Sequence, residues 1–264
     1  MTDAELDVEA MLAMYSAGAK AYRDLWAPVL LRLSRGLVDR MSLAGADRVL
    51  EIGCGPGMLL PSLADAAPGA QIVGGDRTAD MVALAPGSFA RVTCDAMSLP
   101  FRSETFDAVV MPFMLFHVPS DTGAIAEVVR ILRPSGALGP AVWGARHDPR
   151  AYEIWDECFP QPPATDLPRS DHGRMDTPDK VRSLLEEGSL KVEDIWTEPL
   201  AHVWDVDRFI RFQLEVFPDE PSGKGNAIDP VQLREVRSRL MELEVDDKTD
   251  DCEVIRAIAT APTS

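Results

Sequence analysis

The chain has 264 residues, 46% of them hydrophobic, enough for one large domain or two small ones with a sizeable core. Its formal net charge of -17 repels phosphate backbones and anionic bilayers, so neither nucleic acid nor membrane is an expected partner. The opening MTDAELDVEAML does not read as a secretory signal, and no apolar run reaches the roughly 18 residues of a membrane span. The four cysteines (Cys54, Cys94, Cys158, Cys252) lie scattered, as in a reduced cytoplasmic protein.

Residues 5–41 read as helices, with a break near Ser16–Gly18 and a start or kink at Pro28. Leu30, Leu33, Leu37 and Met41 recur at spacings of three and four and give the second piece one apolar face. After Ala46 the period changes. RVLEIG, QIVGGD, FARVTCD, FDAVVMPF and ALGPAVW read as strands, separated by the helices MLLPSLADAA, ADMVALA and DTGAIAEVVRIL. Such alternation, with nearly continuous apolar strands, predicts an α/β fold with a parallel sheet covered on both faces. Residues 144–175 are rich in Pro, Asp and aromatics and read as an inserted lid or substrate loop. TPDKVRSLLEEGSL is a helix with Thr177 as N-cap. KVEDIWTEPLAHVW is a strand, residues 205–245 carry two more helices, and CEVIRAIATA is the final strand.

The informative stretch is Glu51-Ile52-Gly53-Cys54-Gly55-Pro56-Gly57, after a strand and before a helix. Bare backbone there admits a ligand at the strand's C-terminal end. The dinucleotide fingerprint asks for glycine where this chain has Met58. An acid two residues before the first glycine suits an ammonium group or bound water; a pyrophosphate beside it would be repelled. Asp76 closes the next strand and can accept from both ribose hydroxyls. Asp95 closes the third and can accept from an adenine amino group. An ammonium, a ribose and an adenine describe S-adenosylmethionine better than a nicotinamide dinucleotide.

With VLEIGCGPG, IVGGD, CDAMSLPF, FDAVVMPFMLFHVP and EVVRILRPSGAL in order, the chain resembles the class I S-adenosylmethionine-dependent methyltransferases. It is most similar to their ubiquinone/menaquinone-biosynthesis-like (methyltransferase type 11) group, over roughly 46–143. The resemblance implies a Rossmann-like, doubly wound, seven-stranded sheet whose last strand is antiparallel. An N-terminal helical cap would span 1–45, and the Rossmann-like domain 46–264 would carry insertions at about 144–175 and 205–245. Gly53, Cys54, Gly55 and Gly57 would line the methionine and ribose portion, with Glu51 at the methionine end. Asp76 would meet the ribose. Met81 would pack on the adenine, and Asp95 and Ala96 would meet its edge. Arg77 and Met97 would also belong to the cofactor site. Pro112 and Phe113 would sit beside the sulfonium, with Tyr15 closing over it. Two features depart from the pattern: Gly75 and Arg77 replace bulkier apolar residues, and Gly139-Pro140 fall inside a strand.

The implied reaction is methyl transfer to a small apolar or aromatic acceptor, at oxygen in preference to carbon, in secondary metabolism or quinone-like chemistry. The enzyme's main task is alignment. A phenol acceptor also gains from a base. His117, after the fourth strand, is the candidate base, against a structural histidine. His172 is a weaker one, against an exposed loop residue. His147 at the lid junction is weaker again, and His202 reads as structural. Phe116, Trp143, Tyr152 and Trp155 are candidates for an aromatic substrate pocket. No clustered Asp/Asp/Asn set is evident, so no metal is expected. The expected partner is a small molecule, and the expected state a monomer or homodimer. Alternatives are cyclase or decarboxylase chemistry on the same cofactor, a non-catalytic partner subunit, or a nicotinamide oxidoreductase.

Overall fold

The computed structural model describes residues 3–147, 149–159, 172–216 and 229–263. Helices α1 (Asp3–Leu25) and α2 (Ala27–Val38) come first, followed by β1 (Arg48–Ile52), α3 (Leu60–Ala66), β2 (Gln71–Asp76), α4 (Ala79–Leu84), β3 (Ala90–Thr93) and β4 (Phe106–Pro112). Then come α5 (Asp121–Ile131), β5 (Leu132–His147), α6 (Arg150–Cys158), α7 (Pro178–Glu187), β6 (Lys191–Val203), α8 (Val206–Glu215), α9 (Pro230–Met241) and β7 (Thr249–Thr260). The strands form one seven-stranded sheet in the order β3-β2-β1-β4-β5-β7-β6. β7 runs antiparallel to both neighbours, β5 and β6, while β1 to β5 pair in parallel. This is the expected doubly wound sheet. Its order reverses between β1 and β4, which is where such sheets leave a crevice at the strand ends.

Central strands bury both faces: Val49, Leu50, Val109, Val110 and Met111 are all sequestered in one core. α5 contributes Ala124, Ile125, Val128 and Ile131, an apolar stripe at helical spacing, and Ser120 caps it by accepting from the Gly123 N–H at 3.0 Å. A second core joins the end of α1 to α6, α8 and α9 through Leu25, Trp155, Trp204, Phe209, Val236 and Leu240. Among the described residues no helix is long and apolar enough to cross a membrane.

Two sequence expectations need correction, and one departure from the family pattern is accommodated. α1 does not break at Ser16–Gly18; it runs to Leu25, and the break falls at Trp26, with Pro28 in the first turn of α2. Gly18 is there for another reason. A side chain on it would overlap the Val216 carbonyl, so the glycine lets α1 cross close to the end of α8. Gly139-Pro140 do not interrupt β5. The ladder to β7 pairs Leu138 with Ala259 and next Ala141 with Arg256, so Pro140 falls between paired positions on that side, while on the β4 side it lies in register with Met111. Met41 occupies the space a Gly139 side chain would need. The stretch 144–175 is not a loop throughout. Its first part extends β5 to His147 and forms α6, while 160–171 lie outside the described residues.

Candidate active site

The C-terminal ends of β1, β2 and β4 deliver Glu51, Asp76 and Pro112 to one crevice, and α1 lies over it. Two cavities meet there. The larger is bounded by Asp76, Arg77, Met81, Asp95 and Ala96 on the sheet side and by Tyr15, Tyr22, Met114 and His117 on the other. The smaller is bounded by Glu51, Cys54, Pro56 and Pro112 together with α2 residues such as Leu30 and Ser34. Tyr22, Gly53, Gly55 and Phe113 line both, and so form the waist between them.

The loop geometry accounts for the glycines. Gly53 has φ 72° and a side chain there would sit 2.6 Å from Met114 Cβ. Gly57 has φ 70° and faces Ala85 and Leu60, so it serves the packing of the loop on α3 and α4 and lines neither cavity. The Asp76 carboxylate ties the loop to β2. Its oxygens accept from the Gly55 and Thr78 N–H groups, both at 2.8 Å. Gly74 and Gly75 also have a reason: the thiols of Cys54 and Cys94 fill the space their side chains would take, at 3.0 and 2.8 Å.

The electrostatics are those of buried acid. Glu51 is 3% exposed, and its Oε2 is sequestered with no hydrogen-bond partner. Burial, and then the neighbouring Asp76, push its carboxyl well above the usual range. Burial raises Asp76 too, against hydrogen bonds from the Thr78, Gly55 and Arg77 backbone and from the Thr78 side chain. Arg77 is engaged with Asp95 at 3.5 Å, and Asp95 also accepts from the Met97 N–H at 2.9 Å. At the opposite end the Tyr15 hydroxyl lies 3.2 Å from His117 Nε2. Burial and Asp76 raise the Tyr15 phenol, so it stays protonated at neutral pH.

Other candidates lie elsewhere. Met97 packs beneath Gly123, and Phe116 is core, with its ring 4.4 Å from that of His117. Trp143 backs Phe113 at 4.5 Å without lining either cavity. Tyr152 and Trp155 belong to the second core, against Phe209 at 5.1 and 6.3 Å. The amphipathic α6 turns them toward α8, which is why the expected aromatic pocket does not form from them. His172 opens a short 3-10 turn, and its side chain lies outside the described residues, as does that of His147. His202 sits edge-on to Trp204 at 4.6 Å and Trp26 at 6.0 Å, and burial lowers its pKa. Among the described residues no group of three or more His, Cys, Asp or Glu could hold a metal.

Tyr22, which the sequence reading places with Tyr15 and Trp26 on helices that close over cofactor and substrate but gives no contact of its own, lines both cavities. The signal was present, because Met11, Tyr15, Gly18 and Tyr22 recur at four, three and four and so share one helix face.

The methyltransferase-domain family profile matches residues 50–139. The ubiquinone/menaquinone biosynthesis C-methyltransferase UbiE of Desulfotalea psychrophila is 34% identical over 40% of this chain and 45% of its own. The ubiquinone biosynthesis O-methyltransferase of Xanthomonas oryzae is 32% identical over 59% of this chain and 67% of its own. The match spans about half the length of several such curated relatives. Among solved structures, the [4+2]-cyclase SpnF superposes with a TM-score of 0.54 at 22% identity, over 89% of this chain and 82% of that one, a likeness of fold.

Proposed function

The chain belongs to the class I S-adenosylmethionine-dependent methyltransferases of the ubiquinone/menaquinone type, and on that premise we propose that it methylates a small apolar or aromatic acceptor, at oxygen in preference to carbon. The observation that carries this reading is the pair of joined cavities, with an unsatisfied buried carboxyl in one and the Asp76–Asp95 edge in the other. The residues fit the cofactor. Glu51 Oε2 calls for a cationic donor, and the absent side chain at Gly55, where only Tyr22 comes within 4.0 Å, keeps the backbone approachable.

When bound, S-adenosylmethionine supplies an already activated methyl group on a sulfonium. Glu51 holds the methionine end and Asp76 the ribose, while Met81 and Asp95 fix the adenine. Pro112 and Phe113 shape the wall at the waist. α1 covers the crevice with Tyr15 and excludes water. Met11, Leu12, Met114 and Val118 give the larger cavity an apolar side for the acceptor. Relatives bear names of both C- and O-methyltransferases. Oxygen is preferred because a hydroxyl carries the proton to be lost on the attacking atom itself, and His117 Nε2 stands at that end to take it. The acceptor hydroxyl would replace the Tyr15 hydroxyl at that nitrogen.

The test is product mass. The chain is incubated with S-adenosylmethionine and a panel of phenols, quinols and carboxylates. A product heavier by one methylene unit supports the reading. Cofactor binding with no such product across the panel removes it in favour of non-methylating chemistry.

A further inference from the structure

The recognition of the cofactor's sulfur is left open by the acids, which lie at the two ends of the paired cavities. Tyr22 is among the four residues common to both, and with Phe113 it is one of the two aromatic side chains there. Its ring atom Cε1 lies 4.0 Å from the position a Gly55 side chain would occupy, so the ring borders the bare backbone of the loop across the waist. Tyr15 meets it edge-on, centroids 5.6 Å apart at 83°, and Tyr15 is itself hydrogen bonded to His117. These contacts hold the Tyr22 ring in one orientation. Burial pushes its phenol well above the ordinary range, so the ring stays neutral.

A sulfonium is a diffuse cation with no hydrogen to donate, so carboxylate hydrogen bonds cannot read it. An aromatic face can, through the attraction of its negative quadrupole for a desolvated cation. We infer that Tyr22 is the residue that reads the charge on the cofactor sulfur, and so sets the preference for the methyl-bearing cofactor over its uncharged product. This rests on the cofactor reading above. It gives the waist a task distinct from the ends: the ends hold both cofactor and product, while Tyr22 favours the charged form alone. Loss of the methyl group then weakens the grip and assists product release.

The experiment compares three ligands by calorimetry: S-adenosylmethionine, S-adenosylhomocysteine, and sinefungin, which carries an ammonium in place of the sulfonium methyl. Tyr22→Leu is expected to lose about tenfold or more in affinity for the two charged ligands and less than threefold for the homocysteine product. Tyr22→Phe, which keeps the ring, is expected to retain the wild-type ratios within threefold. Tyr22→Met, closer in length, replaces the leucine variant if circular dichroism shows that it does not fold. Equal losses for all three ligands, or a Phe variant that behaves like Leu, would overturn the inference while leaving the cofactor reading intact. If the unaltered chain binds none of the three, both fall together.

Discussion

The hydroxyl of Tyr15 and Nε2 of His117 are 3.2 Å apart, although 102 positions separate them in the chain. The bond fastens α1 to the turn after β4 and closes the cavity from the side opposite the sheet. It also ties the proposed proton acceptor to the helix that covers it.

His117→Gln is therefore expected to lower kcat about 10²- to 10⁴-fold with a hydroxyl acceptor. Affinity for S-adenosylhomocysteine should stay within threefold. Rates are measured by methyl incorporation and affinity by calorimetry. An unchanged kcat would return His117 to a structural role.

Asp76 binds through two routes, since its oxygens already hold the glycine loop. Asp76→Ala is expected to weaken cofactor binding about ten- to a hundredfold, because hydrogen bonds to a charged group contribute roughly 1.5–3 kcal/mol. Asp76→Asn keeps an acceptor and should lose less. Wild-type affinity in the alanine variant would take Asp76 out of the site.

Glu51 has a folded-state pKa raised above its unfolded value. Between those values the folded chain holds more protons than the unfolded one, so stability falls as pH rises. In the ligand-free chain Glu51→Gln removes that loss. Its Tm should exceed the wild-type value at pH 8, and the gap should close as pH drops toward the ordinary glutamate range, about 4.3. Thermal melts at several pH values check this. A gap that widens on acidification would contradict it.

Trp155 is 2% exposed within the second core. Trp155→Ala should destabilise the chain by about 3–5 kcal/mol in urea, the usual cost of emptying a large buried site. The same variant, where folded, should bind S-adenosylhomocysteine normally. Full stability together with a lost acceptor would put Trp155 back in a substrate pocket.

Much of this architecture could be read from pattern. Strands such as RVLEI and FDAVV are apolar and bounded by helical periods, and the sheet that buries them needs no other information. Glu51, Asp76 and Asp95 could be placed because strand ends in a parallel sheet converge on one edge. Contacts across long separations were harder. Gly18 looks like a helix breaker until Val216, nearly 200 positions on, is seen against it. Tyr152 and Trp155 look like a pocket because aromatic residues in an irregular stretch attract that reading. Only the amphipathic pairing of α6 with α8 shows them turned inward. Gly57 carries a motif's signature but meets Ala85, a contact no local pattern encodes.

The central claim is that the cavity beside Glu51 and Asp76 takes S-adenosylmethionine and its product. It is tested most directly by calorimetric titration of the chain with S-adenosylhomocysteine, with NADH as comparison. Micromolar or tighter binding of the homocysteine product is expected, with none of NADH. No binding of S-adenosylhomocysteine, or a preference for NADH, would contradict it.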